Sequence, residues 1–224
     1  MSPSSRRVVH GVVGAVAVAA ILWQLALVVS GASVLETAAQ PGLVTRLARF
    51  VSYFTILSNL LVAGVSFALA RDPARDGRRW RVVHLATLSS ITVTGVVHWF
   101  FLRPILDLQG ASYVVDKLLH VVVPVLAVVA WVVAGPRGRA VRAAILPSLG
   151  WPLLWGALTL ARGTATGWWP YPFIDADTLG WGRVLLNLVA IAVLFAVVGR
   201  ALVAVDRALA ARQVPAERSG RSAD

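Results

Sequence analysis

Apolar residues run along this chain in six long blocks, at about residues 8–30, 47–70, 82–102, 113–134, 141–161 and 179–205. Each block reaches the roughly 20 residues that a helix needs to cross about 30 Å of hydrocarbon. In lipid, a helix satisfies its own backbone groups, so blocks of this length predict helices. The pattern predicts an all-α, polytopic membrane protein with six transmembrane helices, forming one domain over residues 1–211. Short connections predict antiparallel neighbours. The polar stretch 212–224 is expected to be a disordered cytoplasmic tail.

The connections between blocks differ in kind. Arg71-Asp72-Pro73-Ala74-Arg75-Asp76-Gly77 and Gly135-Pro136-Arg137-Gly138 carry the charge, proline and glycine of helix stops and tight turns. The connection before the sixth block instead holds Gly167-Trp168-Trp169-Pro170-Tyr171-Pro172-Phe173-Ile174-Asp175. It is aromatic and stiffened by proline. It reads either as an interfacial aromatic belt or as a lid over an outward-facing cavity, with Trp169 and Tyr171 near a substrate.

Composition agrees with the block pattern. Hydrophobic residues make up 58% of the chain and charged residues 14%, against about 25% charged in ordinary soluble domains. A net charge of +11 would point to nucleic acid in a soluble protein. Here the positive-inside rule accounts for it, and no nucleic-acid partner is expected. With the N-terminus inside, the inner segments hold fifteen of the 21 Lys and Arg residues and the outer segments six. That asymmetry predicts both termini in the cytoplasm. The apolar run after Arg6-Arg7 resembles a signal sequence but continues to about Val29 without a clear small-residue cleavage site, so it is read as a retained first helix. The chain has no cysteine, which removes disulfides, thiol chemistry and cysteine metal sites.

Polar residues inside the blocks are costly in lipid unless they find partners, and so mark packed interiors or sites. Ser52, Thr55 and Asn59 stand at i, i+3 and i+7 and would share one helix face. At about 1.5 Å per residue, Thr55 falls about 12 Å along the second block from its outer end, His120 about 10 Å along the fourth and Asn187 about 12 Å along the sixth. His98 falls about one turn from the outer end of the third. Four polar groups on four helices therefore share one level.

Asp116, one turn from His120 on the same face, has two readings. Its carboxylate could hold the imidazole in one tautomer, or it could be a solvated residue at a helix start. Pro124 lacks the N–H that would bond the His120 carbonyl. A threonine in a membrane helix usually bonds back to the preceding turn; beside a base it becomes a nucleophile. Asn59, Ser52, His98 and Asn187 are then candidate orienting groups or oxyanion donors. His10 and His84 near the cytoplasmic ends are expected to stay hydrated. There is no HExxH pair, no phosphate-binding glycine loop and no GxSxG elbow. No cofactor and no metal are expected, since a third ligand beside the two histidines is not obvious.

At these residues the chain resembles known proteins. Phe54-Thr55 with Asn59, and Asp116-Lys117-Leu118-Leu119-His120 followed by Val121 to Pro124, resemble two segments of the androgen-induced (FAR-type) intramembrane threonine hydrolases. The resemblance implies a six-helix fold, cleavage of fatty acyl esters of hydroxy fatty acids, a nucleophile at Thr55 and a base at His120. The residue before the histidine that is Asp116 here is asparagine-like in the eukaryotic proteins, and the proline falls one residue earlier. Over nearly its whole length the chain is similar to a set of actinobacterial six-helix integral membrane proteins. The similar segments include residues 52–59, Thr92-Val93-Thr94-Gly95, residues 169–173 and Gly182-Arg183-Val184-Leu185-Leu186-Asn187. This second resemblance implies a multi-pass protein of a bacterial plasma membrane.

Two functions compete. One is an intramembrane lipid ester hydrolase with a membrane lipid as substrate. The other is a non-enzymatic membrane protein (a small transporter, lipid binder or assembly partner) whose polar layer is a binding site or helix glue. Transport usually needs polar groups on a path to both faces, whereas the polar layer read here lies on one side.

Overall fold

The structure is a computed structural model that describes residues 1–31 and 41–212; residues 213–224, nearly all of the expected tail, lie outside the described residues. Among the described residues every regular element is helical. The elements are α1 (Pro3–Ser30), α2 (Leu43–Phe50), α3 (Phe54–Arg71), α4 (Arg78–Val97), α5 (Gly110–Lys117), α6 (Val123–Ala134), α7 (Arg142–Ser148), α8 (Gly150–Thr166), α9 (Ala176–Leu179) and α10 (Trp181–Ala211). A π turn, His98–Leu102, extends α4, and a second, Leu118–Val122, joins α5 to α6. Six continuous helical units are long and apolar enough to cross a membrane: α1, α3, Arg78–Ile105, Gly110–Ala134, Arg142–Thr166 and α10.

α1 starts at an Asx-like cap, with the Ser2 hydroxyl accepting from the Ser5 N–H at 3.1 Å and Pro3 in the first turn. It packs along α3 through small residues: Ala17 and Ala20 are fully buried, and a Cβ on Gly14 would come 3.0 Å from the Phe67 ring. Small residues let helices approach closely where lipid supplies no hydrophobic drive. α4 is the central helix, touching α3, α6, α7 and α10. Leu85, Leu88 and Ile91 are buried on it. α8 lies at the edge and makes its closest helix contacts with its own continuation, α7.

The opposite end from Thr55 is tied by charge. Arg81 binds Asp76 with both arms, at 2.8 and 2.7 Å, and this guanidinium holds the Asp76 carboxyl well below the usual carboxylate range. Asp206, fully buried on α10, accepts the Ala140 N–H at 2.8 Å. Arg137 caps α6 by donating to the carbonyls of Trp131 and Val132.

Two expectations need correction. The second block is not one helix: the chain breaks at residues 51–53, between α2 and α3. Side chains from α8 satisfy the carbonyls that a continuing helix would have used. Arg162 donates to Ala48 C=O at 2.8 Å and Trp155 Nε1 to Ser52 C=O at 2.9 Å. The fifth block stays one spanning unit, with Leu149 a single turn residue between α7 and α8, flanked by Pro147 and Pro152. His10 and His84 are not hydrated but buried, because α1, α4 and α6 close over them.

Candidate functional site

The break before α3 puts Thr55 in the first turn of a spanning helix rather than partway along one. Its hydroxyl lies 3.1 Å from Nε2 of His120 and 3.4 Å from the Tyr171 hydroxyl, and its backbone N–H donates to that hydroxyl at 3.3 Å. Thr55 thus stands at the positive end of the α3 dipole, where the Tyr171 hydroxyl takes up a first-turn backbone donor.

His120 reaches Thr55 because its own helix is distorted. It sits inside the π turn Leu118–Val122, four residues before Pro124. A proline cannot donate to the preceding turn, and single π turns recur at functional sites. The freed His120 carbonyl points at α4, where a Cβ on Gly95 would lie 3.2 Å from it. A side chain at Gly95 would make the His120 carbonyl give way by a few tenths of an ångström.

Nδ1 of His120 hydrogen-bonds the Asp116 carbonyl at 3.0 Å and lies 2.9 Å from the Asp116 carboxylate. Both partners are acceptors, so the proton sits on Nδ1 and the Nε2 lone pair faces Thr55. Asp116 is buried, with 4% of its surface exposed, so it is not the solvated helix-start residue of the bland reading. Lys117 donates to its Oδ2 at 2.8 Å. Nε2 of His98 lies 3.3 Å from the same oxygen, without hydrogen-bond alignment. The His98 ring stacks on His120, with centroids 4.0 Å apart and planes 13° from parallel. One carboxylate therefore faces two imidazoles and the Lys117 ammonium, and the ammonium balances its charge inside the bundle.

His98, Asp116 and His120 bring ligand-type atoms within 4.8 Å of one another. Ring nitrogens bind a metal through lone pairs in the ring plane. Two nearly parallel stacked rings aim those lone pairs alongside each other rather than at one ion. Lys117 already occupies Oδ2. The arrangement fits a hydrogen-bonded relay better than a metal centre.

The remaining sequence candidates fall outside the Thr55–His120 contact. Asn59 donates to Thr55 C=O at 2.8 Å and to Leu119 C=O at 3.2 Å, so it ties α3 to the His120 segment rather than donating to an oxyanion. Ser52 lies in the break and bonds back to Ala48 C=O at 2.7 Å, so it does not share the Thr55 face. Asn187 donates to Phe173 C=O at 2.7 Å and lines a second cavity of about 460 Å³. It positions the aromatic segment and does not join the cluster. Trp169 donates to Asp177 at 2.8 Å and packs on Gly163, where a Cβ would come within 2.2 Å of its ring. Tyr171, the other residue of that segment, touches Thr55 directly. Burial pushes its phenol up, so it stays protonated.

Trp155, Arg162 and Gly95 did not stand out in the sequence. Each acts through a distant partner, and their residue types are common at membrane interfaces or in apolar helices. The aromatic segment is a built cover: Tyr171 stacks on Phe173 at 5.1 Å, and Arg49 and Arg162 lie over Trp168 at 5.1 and 5.0 Å. Beneath it, against Thr55, is a cavity of about 340 Å³.

Neither a family model, nor a curated protein, nor a solved structure matches the chain. The site must be read from its own geometry.

Proposed function

We propose that the chain is an integral membrane hydrolase that cleaves a lipid ester near the outer leaflet, with Thr55 as nucleophile and His120 as base. The observation that carries this reading is the 3.1 Å contact between the Thr55 hydroxyl and the unprotonated nitrogen of His120, backed by Asp116 on the other ring nitrogen. A weak nucleophile needs such a base, and the base needs an orienting partner.

In this mechanism Thr55 Oγ1 attacks the ester carbonyl while Nε2 of His120 takes its proton. The charge that forms on the carbonyl oxygen lies at the N-terminus of α3, within reach of the Tyr171 hydroxyl. The intermediate collapses by breaking the ester C–O bond, and His120 returns the proton to the departing alkoxide. A water then adds to the acyl-threonine carbonyl and gives its proton to His120. The C–O bond to Thr55 breaks, Thr55 recovers the proton, and the acid leaves. Asp116 stabilises the imidazolium in both halves. Such acid–base help is typically about 10²- to 10⁴-fold in rate.

In the proposed orientation, both termini face the cytoplasm and Thr55 faces the exterior side of a cell membrane. The support is the charge asymmetry of fifteen basic residues against six. Activity-based labelling with a fluorophosphonate tests the reading. Wild-type protein should take up the probe, and Thr55→Ala and His120→Ala should not. Undiminished labelling of Thr55→Ala would remove Thr55 as the nucleophile and return the cluster to a binding or structural role.

A further inference from the structure

The cavity against Thr55 has a shape and chemistry of its own. It lies between α8 and α10, backed by Val93 and Val97 of α4 and covered by Tyr171 and Phe173. Its walls are almost all carbon. The lining side chains with polar atoms are Thr55, Thr94, Tyr171 and Trp155. Two of them are already committed: Thr94 donates to Ser58 at 3.3 Å and Trp155 to Ser52 C=O at 2.9 Å. The other two, Thr55 and Tyr171, meet at one corner, where Thr55 bonds both Tyr171 and His120, so the polarity of the lining is confined to the reacting end. A polar headgroup placed elsewhere in this space would lose its water without replacement, whereas a hydrocarbon chain would lose nothing.

The cavity also reaches the outside of the bundle. Leu153 of α8 lines it and is 61% exposed, so the cavity opens at the surface of the bundle beside α8. Trp155 is tied to Ser52 and its ring meets Phe54 at 5.0 Å, which sets this part of α8 level with Thr55. From there the lining continues along α8 to Leu149, about 9 Å further at 1.5 Å per residue. Gly156 lies at the near end of that run. It is buried and lines the cavity, yet a Cβ built on it meets nothing within 4 Å. Its missing side chain is empty cavity.

We propose that this cavity seats one hydrocarbon chain of the substrate, reached sideways from the lipid between α8 and α10, and that Gly156 keeps the passage open beside the reacting carbonyl. Gly156 is thus a residue that sets which acyl lengths are accepted. The proposal rests on the hydrolase reading for its consequence in turnover, but the seat itself can be measured without turnover.

Two experiments separate them. First, kcat/KM is measured for a long-chain and a short-chain p-nitrophenyl ester in proteoliposomes. Gly156→Leu should lower the long-to-short ratio at least tenfold. Ala192→Phe, filling the cavity from the α10 side, should lower it in the same direction. Gly64→Leu, on an exposed part of α3, should leave the ratio at its wild-type value. Second, a photoreactive long-chain fatty acyl probe is cross-linked to Thr55→Ala protein, and the adducts are mapped by mass spectrometry. They should fall on the cavity lining, in residues 93–102, 149–160, 171–173 and 188–195, and disappear when Gly156→Leu is added. Adducts elsewhere, or a ratio unmoved by both cavity variants, would overturn the chain seat. Adducts in the cavity of a wild-type protein that hydrolyses neither ester would leave the seat standing and remove the hydrolase.

Discussion

At the scale of single residues, Asp116 decides how much the relay depends on charge. In serine hydrolases, neutralising the buried aspartate costs about 10⁴-fold in kcat because the histidine turns to the wrong tautomer. Here the tautomer has a second guard: the Asp116 backbone carbonyl accepts the Nδ1 proton at 3.0 Å whatever the side chain is. Asp116→Asn should therefore lose only the charge stabilisation of the imidazolium. A hydrogen bond to a charged group is worth about 1.5–3 kcal/mol, or roughly 10- to 100-fold in kcat. Steady-state kinetics on any ester the protein hydrolyses will measure it; a loss near 10⁴-fold would mean that the backbone contact does not hold the ring.

Tyr171 is tested by removing one oxygen. Tyr171→Phe keeps the stack on Phe173 and deletes the donor beside Thr55. Losing one oxyanion donor costs about 10²- to 10³-fold in kcat with KM little changed. A change in KM alone would make Tyr171 a wall of the cavity instead. Burial raises the phenol above its ordinary value near 10. Its proton is then retained across the neutral and moderately alkaline range. Ionisation of Tyr171 should therefore not limit the rate below about pH 10, and a pH–rate profile of Tyr171→Phe should keep the wild-type alkaline limb at a lower height.

At the scale of elements, the site depends on two helices departing from regularity where they meet. α4 gives way to a π turn at His98 and the α5–α6 unit to another at Leu118; the stacked imidazoles lie between them. Gly95 permits that meeting. A methyl there would lie 3.2 Å from the His120 carbonyl and 3.4 Å from the Pro124 ring, and a backbone carbonyl cannot rotate away as a side chain can. Gly95→Ala should lower stability by about 1–3 kcal/mol, as overpacking does, and displace His120 from Thr55. Thermal unfolding in detergent, read beside probe labelling, will show both effects. Full stability with full labelling would mean that the helices shift apart freely.

The same junction shows what was legible in the chain and what was not. Span length and apolarity are local, so six units could be read directly, with ends misplaced by a few residues. The common level of Thr55, His98 and His120 was also legible, because depth along a helix follows from counting. Azimuth does not, and Asn187 shares the level while bonding Phe173 instead. The break at residues 51–53 was hidden for a different reason. Nothing in Val51-Ser52-Tyr53 forbids a helix; the carbonyls are drawn off by Trp155 and Arg162, about a hundred residues further on. The helix terminus that carries Thr55 is therefore a tertiary effect.

At the scale of the whole molecule, polar chemistry is divided between two ends. One end holds Thr55, His98, Asp116 and His120 under the aromatic cover; the other holds Asp76 with Arg81, and Asp206 with the turn before α7. The proposed orientation puts the second end in the cytoplasm, because arginines flanking spans resist translocation. The absence of cysteine makes this directly measurable, since any introduced thiol is the sole one. Ala74 lies in the exposed turn after α3, and Ala165 lies exposed at the far end of α8. In intact cells a membrane-impermeant maleimide should label Ala165→Cys and leave Ala74→Cys untouched until the membrane is permeabilised. The opposite pattern would put Thr55 on the cytoplasmic side. In the proposed mechanism the Thr55–His120 geometry would be unchanged, but the lipid would come from the inner leaflet and the water that releases the acid from the cytoplasm. Topology thus decides which leaflet is the substrate pool, a matter on which the arrangement of Thr55 and His120 is silent.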